Sequence, residues 1–261
     1  MPVLEQIQKH RSIRKYKPDP IPENLLNDIL EAGIRTSSSG NMQTYSIVVT
    51  RDSKIREQML EPHLQQTMVV DAPIFLTFCA DFYRMRRWLT LSKAADNFDN
   101  YFSFMVAAID AILVSQTIAL AAESKGLGIC YLGSTFANAD QISEILKLPS
   151  NVVPVIGFSL GYPDENPGLR DRLPLSGLVH WETYREYTDQ EILEIYQDRE
   201  IKGWERYMQS KRLKSQAEKN GIQNLAQLYT EVKYTRESHQ QYSVKILEYL
   251  SQQNFMNNTP D

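Results

Sequence analysis

Cysteine is scarce in this chain of 261 residues: Cys79 and Cys130 are the only two, far apart and each inside a strand-like apolar run. That excludes a disulfide framework and a Cys-x-x-Cys centre, and both are expected to be reduced, buried thiols of a cytoplasmic protein. Histidine is also scarce, at four residues, with neither a His-Glu-x-x-His motif nor a Cys/His spacing suited to zinc, so no metal site is expected. Positive charge is not in excess. A net charge of −4 argues against a broad nucleic-acid-binding face, so any anion site must be local. A long uncharged apolar run is missing as well: the segment 101–122 comes closest, but Asp110 splits it below the ~18 uncharged residues a membrane span requires. The opening "MPVLEQIQKH" lacks the apolar centre of a secretory signal. Neither a membrane nor an export role is expected.

What the chain does have is an ordinary globular composition, 42% hydrophobic and 23% charged, and length enough to bury a core. In "IPENLLNDILEAGI" the residues Leu25, Leu26, Ile29, Leu30 and Ile34 fall on one side of a helix, with Pro22 in its first turn. The Ser/Gly run "TSSSGNMQ" cannot continue that face and is expected to be a loop rich in donors. "YSIVVT", "PIFLTFCA", "ICYL" and "VVPVIGFSL" read as strands, with "EPHLQQTMVV" helical or irregular between the first two. The segment around 101–124 is apolar on nearly every side and predicts a central helix surrounded by protein, stopped by Gly126 or Gly128. A capping box is expected at 138–141 and another at "TDQE", from which a charged, Gln-rich helical stretch runs to the end. The expected division is thus a core over 1–187 and a helical excursion over 188–261, packed on the core or on a partner subunit, within one domain. The fold class is α+β.

Three motifs carry chemistry. "HRSIRKY" sets Arg11 and Arg14, whose planar guanidiniums match phosphate oxygens two at a time, beside the hydroxyl of Ser12; its plainer reading is a solvated basic turn. A second basic pair, Arg170 and Arg172, lies in "NPGLRDRLP". "GFSLG" matches the G-x-S-x-G elbow of serine hydrolases, with Asp171 and His180 or His239 following Ser159 in the right chain order. Against it, "YPDENPG" follows at once, where the elbow needs a helix. "GLGICYLG" does not obey G-x-G-x-x-G and comes after a helix, the reverse of a dinucleotide-binding turn.

Read together, "HRSIRKY", "RTSSSGNMQTYSIV", "FCADFYR", "AAESKGLGICYLG" and "LGYPDENPGLRDRLP" resemble the flavin-dependent nitroreductase family, in its NADPH-preferring, oxygen-insensitive nitroreductase and flavin reductase branch. The resemblance implies an α+β homodimer with FMN bound across the subunit interface. It assigns His10, Arg11, Ser12, Arg14, Arg170 and Arg172 to the flavin phosphate and ribityl end, and Ser38 and Gln66 to the ribityl chain or ring edge. It sets the turn Tyr131, Leu132, Gly133 and Ser134 against the reactive ring edge, where the family often has glycine in place of Ser134. It further implies transfer of electrons from NADPH or NADH to nitroaromatics, quinones or free flavin in a ping-pong cycle, with no catalytic side chain needed. Lys211 and Arg212 are the candidates for the extra phosphate of NADPH, or else surface charges. The alternatives from other classes are a hydrolase using Ser159 and a flavin-binding module without turnover.

Overall fold

The computed structural model describes residues 2–258. Within them the chain divides into two compact units: one takes in everything up to Gly168 and everything from Val244 onward, the other is Leu169–Ser243. In chain order the first unit is built from α1 (Val3–Gln8), α2 (Glu23–Gly33), β1 (Tyr45–Thr50), α3 (Ser53–Gln58), α4 (Met68–Asp71), β2 (Ile74–Asp81) and α5 (Tyr83–Leu91). It continues through α6 (Tyr101–Ser124), β3 (Gly128–Leu132), α7 (Ser134–Ala137), α8 (Ala139–Leu146) and β4 (Val152–Gly161).

The four strands form one antiparallel sheet in the order β1-β2-β4-β3. The central strands β2 and β4 are almost wholly buried, which explains their unbroken apolar runs where a half-exposed strand would alternate. On one face Leu76, Phe78, Phe158 and Ile129 pack against Leu26 and Ile29 of α2 and Val114 and Ile118 of α6. On the other, Phe75 and Leu132 pack with Met59, Val69 and Ile142. Pro154 sits in β4 opposite Cys79, where the register shifts, as expected of a proline inside a sheet. Both cysteines are free and buried.

Helix α6 is central, and Gly126 at φ +80° ends it as the sequence suggested, while Gly128 opens β3. Its approach to α2 is close because Gly33 has no side chain: a Cβ there would lie 2.1 Å from Ile118 Cγ1. Ile34, expected on the buried face of α2, lies one residue past the helix end and is exposed. Among the described residues, α6 is not enclosed on every side. Phe102, Met105, Ile109, Ile112 and Leu113 form an exposed apolar stripe at three- and four-residue spacing, 76% exposed at Phe102. The expected capping box at 138–141 is absent too: Asn138 instead donates through Nδ2 to Pro62 O at 2.7 Å, tying α8 to the turn before α4.

The second unit contains α9 (Asp189–Met208), α10 (Lys211–Asn220), α11 (Leu225–Leu228) and the start of α12 (Arg236–Gln252), whose remainder belongs to the first unit. Thr188 and Glu191 form the expected capping box at the head of α9. The interior is small: Ala217, Ile222, Leu225 and Leu228, with Gly203 of α9 letting Leu225 come close.

Candidate functional site

The segment His10–Tyr16 lies extended along β3. Ile13 N donates to Ile129 O at 2.8 Å, and the Ile13 side chain fills the space left by Gly128, where a Cβ would sit 2.5 Å from Ile13 Cγ1. Ile13 and Tyr16 are buried, while Arg14 and Lys15 are exposed. The chain after β4 flanks the segment: Asp164 N donates to Lys15 O at 2.9 Å, and Glu165 Oε1 accepts from the backbone N–H of Arg14 at 2.5 Å and of Lys15 at 3.2 Å. Arg11 Nη1 donates to Asn166 Oδ1 and to Pro167 O, so this guanidinium braces the two strands of chain. His10 Nδ1 pairs with Glu123 of α6 at 2.6 Å. The Arg14 guanidinium makes one long contact of 3.4 Å, to Ser12 O. Its charge reaches Cys130, whose thiol burial pushes up and Arg14 pulls back down.

At the far end of β3 comes the second group. Tyr131 Oη lies 3.0 Å from Ser115 Oγ, and burial pushes this phenol up to about 12. Gly133 is exposed, and no heavy atom lies within 4 Å of where its Cβ would be, so the backbone of this turn faces open space. Ser134 Oγ lies 2.9 Å from His63 Nδ1 and 3.4 Å from Gln66 Nε2. His63 is fully buried against Phe75, its pKa pushed down to about 4 by desolvation, so it is neutral. Sequence reasoning missed His63, because a lone histidine in "EPHLQQ" carries no motif.

Ser38 lies in the Ser/Gly loop. Its hydroxyl donates to Asp110 Oδ2 at 2.7 Å and accepts from Gln43 N at 2.8 Å. Asp110, fully buried in α6, also accepts from Ser39 N at 3.0 Å and Thr44 Oγ1 at 3.3 Å. Residues 40, 41 and 43 of the loop are left-handed, and Asp110 holds that conformation in place. A cleft of about 500 Å³ opens beside it, lined by Gly40, Asn41, Arg84 and Trp88 among others. Sequence reasoning used Asp110 only to exclude a membrane span and overlooked its role as the anchor of this loop.

The second unit holds the other assigned cations. Arg172 Nη1 donates to the carbonyls of Arg170 and Asp171, and both arginines are exposed. Lys211 and Arg212 are exposed on the first turn of α10, with Arg212 bonded to Gln216 at 3.2 Å. The denser cluster was not foreseen: Asp171 accepts from Arg199 at 2.9 Å and Arg206 at 3.1 Å, seven residues apart on one face of α9. Lys233 Nζ stands 4.2 Å from the Tyr207 ring centroid. Burial acts to raise the Tyr207 phenol, but Lys233, Tyr229 and Arg206 together pull it below its usual range.

This arrangement removes the hydrolase alternative. Ser159 is fully buried in the middle of β4, paired with Phe75 and Cys130 on either side, and its hydroxyl lies 2.7 Å from Tyr16 Oη. No elbow presents it. Asp171 is committed to two arginines, and His180 stacks on Tyr184 at 4.1 Å.

Comparison with known proteins gives one answer. An NADPH-dependent oxidoreductase of Staphylococcus aureus is 36% identical over 213 residues, 76% of this chain and 84% of the relative. A solved Bacteroides fragilis structure described as an oxidoreductase is 40% identical, with a TM-score of 0.88 over 97% of this chain and 100% of that one. An NADPH:FMN oxidoreductase from Vibrio harveyi is 30% identical, with a TM-score of 0.77 over 98% and 99%. A buried antiparallel sheet, with an open basic segment beside one edge strand and polar donors at its end, is here the framework of an oxidoreductase. Residues 7–162 match the model of the nitroreductase family, and the chain belongs to that family.

Proposed function

We propose that this enzyme binds FMN, takes electrons from NADPH or NADH, and passes them in a ping-pong cycle to flat electron-poor acceptors such as nitroaromatics, quinones or free flavin. The observation that carries the reading is the arrangement along β3. Arg14 lies near Cys130, and the turn open at Gly133, with the buried Ser134 next to it, follows within four residues, no more than about 13 Å of extended chain. A cationic end and a donor-lined end on one strand suit a ligand with a phosphate at one end and a polar ring at the other.

The residues fit such a group. Arg14 and Ser12 would hold the phosphate, since the Arg14 fork is exposed and only weakly occupied by the protein's own carbonyls. Arg11 and His10, engaged with Asn166 and Glu123, would fix the shape of that end. Gln66 and the backbone at Gly133 would meet the ring, with no side chain at Gly133 to obstruct it. Bound FMN supplies the hydride acceptor and, once reduced, the donor. The chain's own part is to position it and to set fixed donors where negative charge develops.

The apolar stripe on α6 supports a homodimer, because a contiguous exposed apolar face of this kind marks an association surface. Its occupant is taken to be a second copy. Two free thiols suit a reducing compartment, and we place the enzyme in the cytoplasm.

The visible spectrum of the purified protein, followed by anaerobic addition of NADPH or NADH, tests this directly. A flavin band that bleaches supports the reading, and the faster nicotinamide identifies the donor. A colourless protein that takes up no added FMN would overturn it.

A further inference from the structure

The cluster His63, Gln66 and Ser134 has a hydrogen-bond count that fixes where one proton goes. Gln66 Nε2 donates to His63 O at 3.0 Å, which sets the orientation of its amide and leaves the same NH2 group facing Ser134 Oγ. His63 Nδ1 touches the same oxygen, and His63 Nε2 is buried with no partner. Two tautomers of the neutral ring are open. With the proton on Nε2, a buried N–H donor is left unpaired; with it on Nδ1, only a bare acceptor is left, and orphaned buried N–H groups are the rarer of the two. The Nδ1–H tautomer follows. His63 then donates to Ser134 Oγ, as does Gln66, and both acceptor positions of the hydroxyl are filled. Its own hydrogen must point elsewhere, and Ser134 Oγ has no other hydrogen-bond partner among the described residues.

We propose that Ser134 is a hydroxyl donor held in readiness for an acceptor atom of the bound flavin ring, and that His63, with Gln66, is the positioning residue that turns its hydrogen outward. The inference rests on the flavin reading of the turn after β3. It assigns a role to a serine at a position where the resembling family often has glycine, and to a histidine that no motif marks. The surroundings are built to hold the arrangement. Leu64 and Gln65, neither of them glycine, both have left-handed backbone at φ 57° and 58°, and this pair of strained residues brings Gln66 back toward Ser134. Asn138 clamps Pro62 O from the other side. The low pKa of His63 keeps the ring neutral and the tautomer question meaningful across the working pH range.

Two measurements test it. Nitrogen NMR of the imidazoles in flavin-free protein, with the His63 signals assigned by their loss in His63→Leu, reports the tautomer without any cofactor. Nδ1–H is expected, and Nε2–H overturns the proposal, because Ser134 would then donate to His63. In the FMN-loaded protein the midpoint potential should fall in Ser134→Ala and in His63→Leu, since each removes or misdirects a donor that stabilises charge gained on reduction. His63→Asn, which keeps an N–H near the Nδ1 position, should restore it. An unchanged potential in Ser134→Ala with FMN bound overturns this inference and leaves the flavin reading standing. Failure of the native protein to bind FMN at all overturns both.

Discussion

Arg14 and His63 show how little of a side chain's role lies in its identity. Arg14 differs from Arg11 in having its fork largely open, which is why Arg14 is the residue proposed to meet the ligand. Arg14→Ala is expected to weaken FMN binding by about 1.5 to 3 kcal/mol, the range for hydrogen bonds to charged groups, as read by flavin fluorescence titration. An unchanged affinity would move the phosphate elsewhere. His63 makes a different prediction. Its folded pKa of about 4 lies below the ordinary value of 6.5, so between these the unfolded chain binds more protons than the folded one. Stability therefore rises with pH across that window: the full cost of burial is felt below pH 4 and is gone above 6.5. The cost is of order 3 kcal/mol at most. Urea unfolding at several pH values should show this slope, and His63→Leu should flatten it.

At the scale of elements, β3 and the segment His10–Tyr16 act as one piece because Gly128 leaves room for Ile13. Gly128→Ala would drive a methyl group into Ile13, with an expected loss of about 1 to 3 kcal/mol in stability together with weaker FMN binding. Normal flavin affinity in a fully folded variant would uncouple the segment from the site. The strands, α2, α6 and the capping box of α9 were legible in sequence because each depends on local pattern: β-branched runs, a periodic apolar face, a Thr/Glu pair three residues apart. The motif segments could be named in the same way. What could not be read was anything depending on distant partners. Asn138 looked like a cap and was claimed by Pro62, 76 residues away. Ser38 is held by a bond to Asp110, 72 residues away, that no local pattern announces. His63 and Ser134 share no local signature at all, since 71 residues separate them.

The whole molecule is marked by a helix that its own chain does not finish burying. The apolar sequence of α6 predicts enclosure on all sides, yet the stripe from Phe102 to Leu113 remains exposed, and the proposed second copy would supply the remaining cover. Replacing Ile109 and Ile112 together by glutamate is expected to yield a monomer in sedimentation, with lower thermal stability than the native protein. A native protein that sediments as a monomer, or a double variant that remains dimeric, would place the interface elsewhere.

Asp110 has a bearing on events before folding is complete. Helix α6 spans 24 residues and holds an 18-residue window of mean hydropathy 1.9, by length and composition alone enough to cross a bilayer. One aspartate near its centre adds about 2.5 to 3.5 kcal/mol against insertion. The carboxylate that anchors the Ser/Gly loop would thus also count against insertion of the segment into lipid. Asp110→Leu should move a measurable share of the protein into the membrane fraction of expressing cells, whereas a variant recovered wholly in the soluble or aggregated fractions would show that the helix is not read as a span.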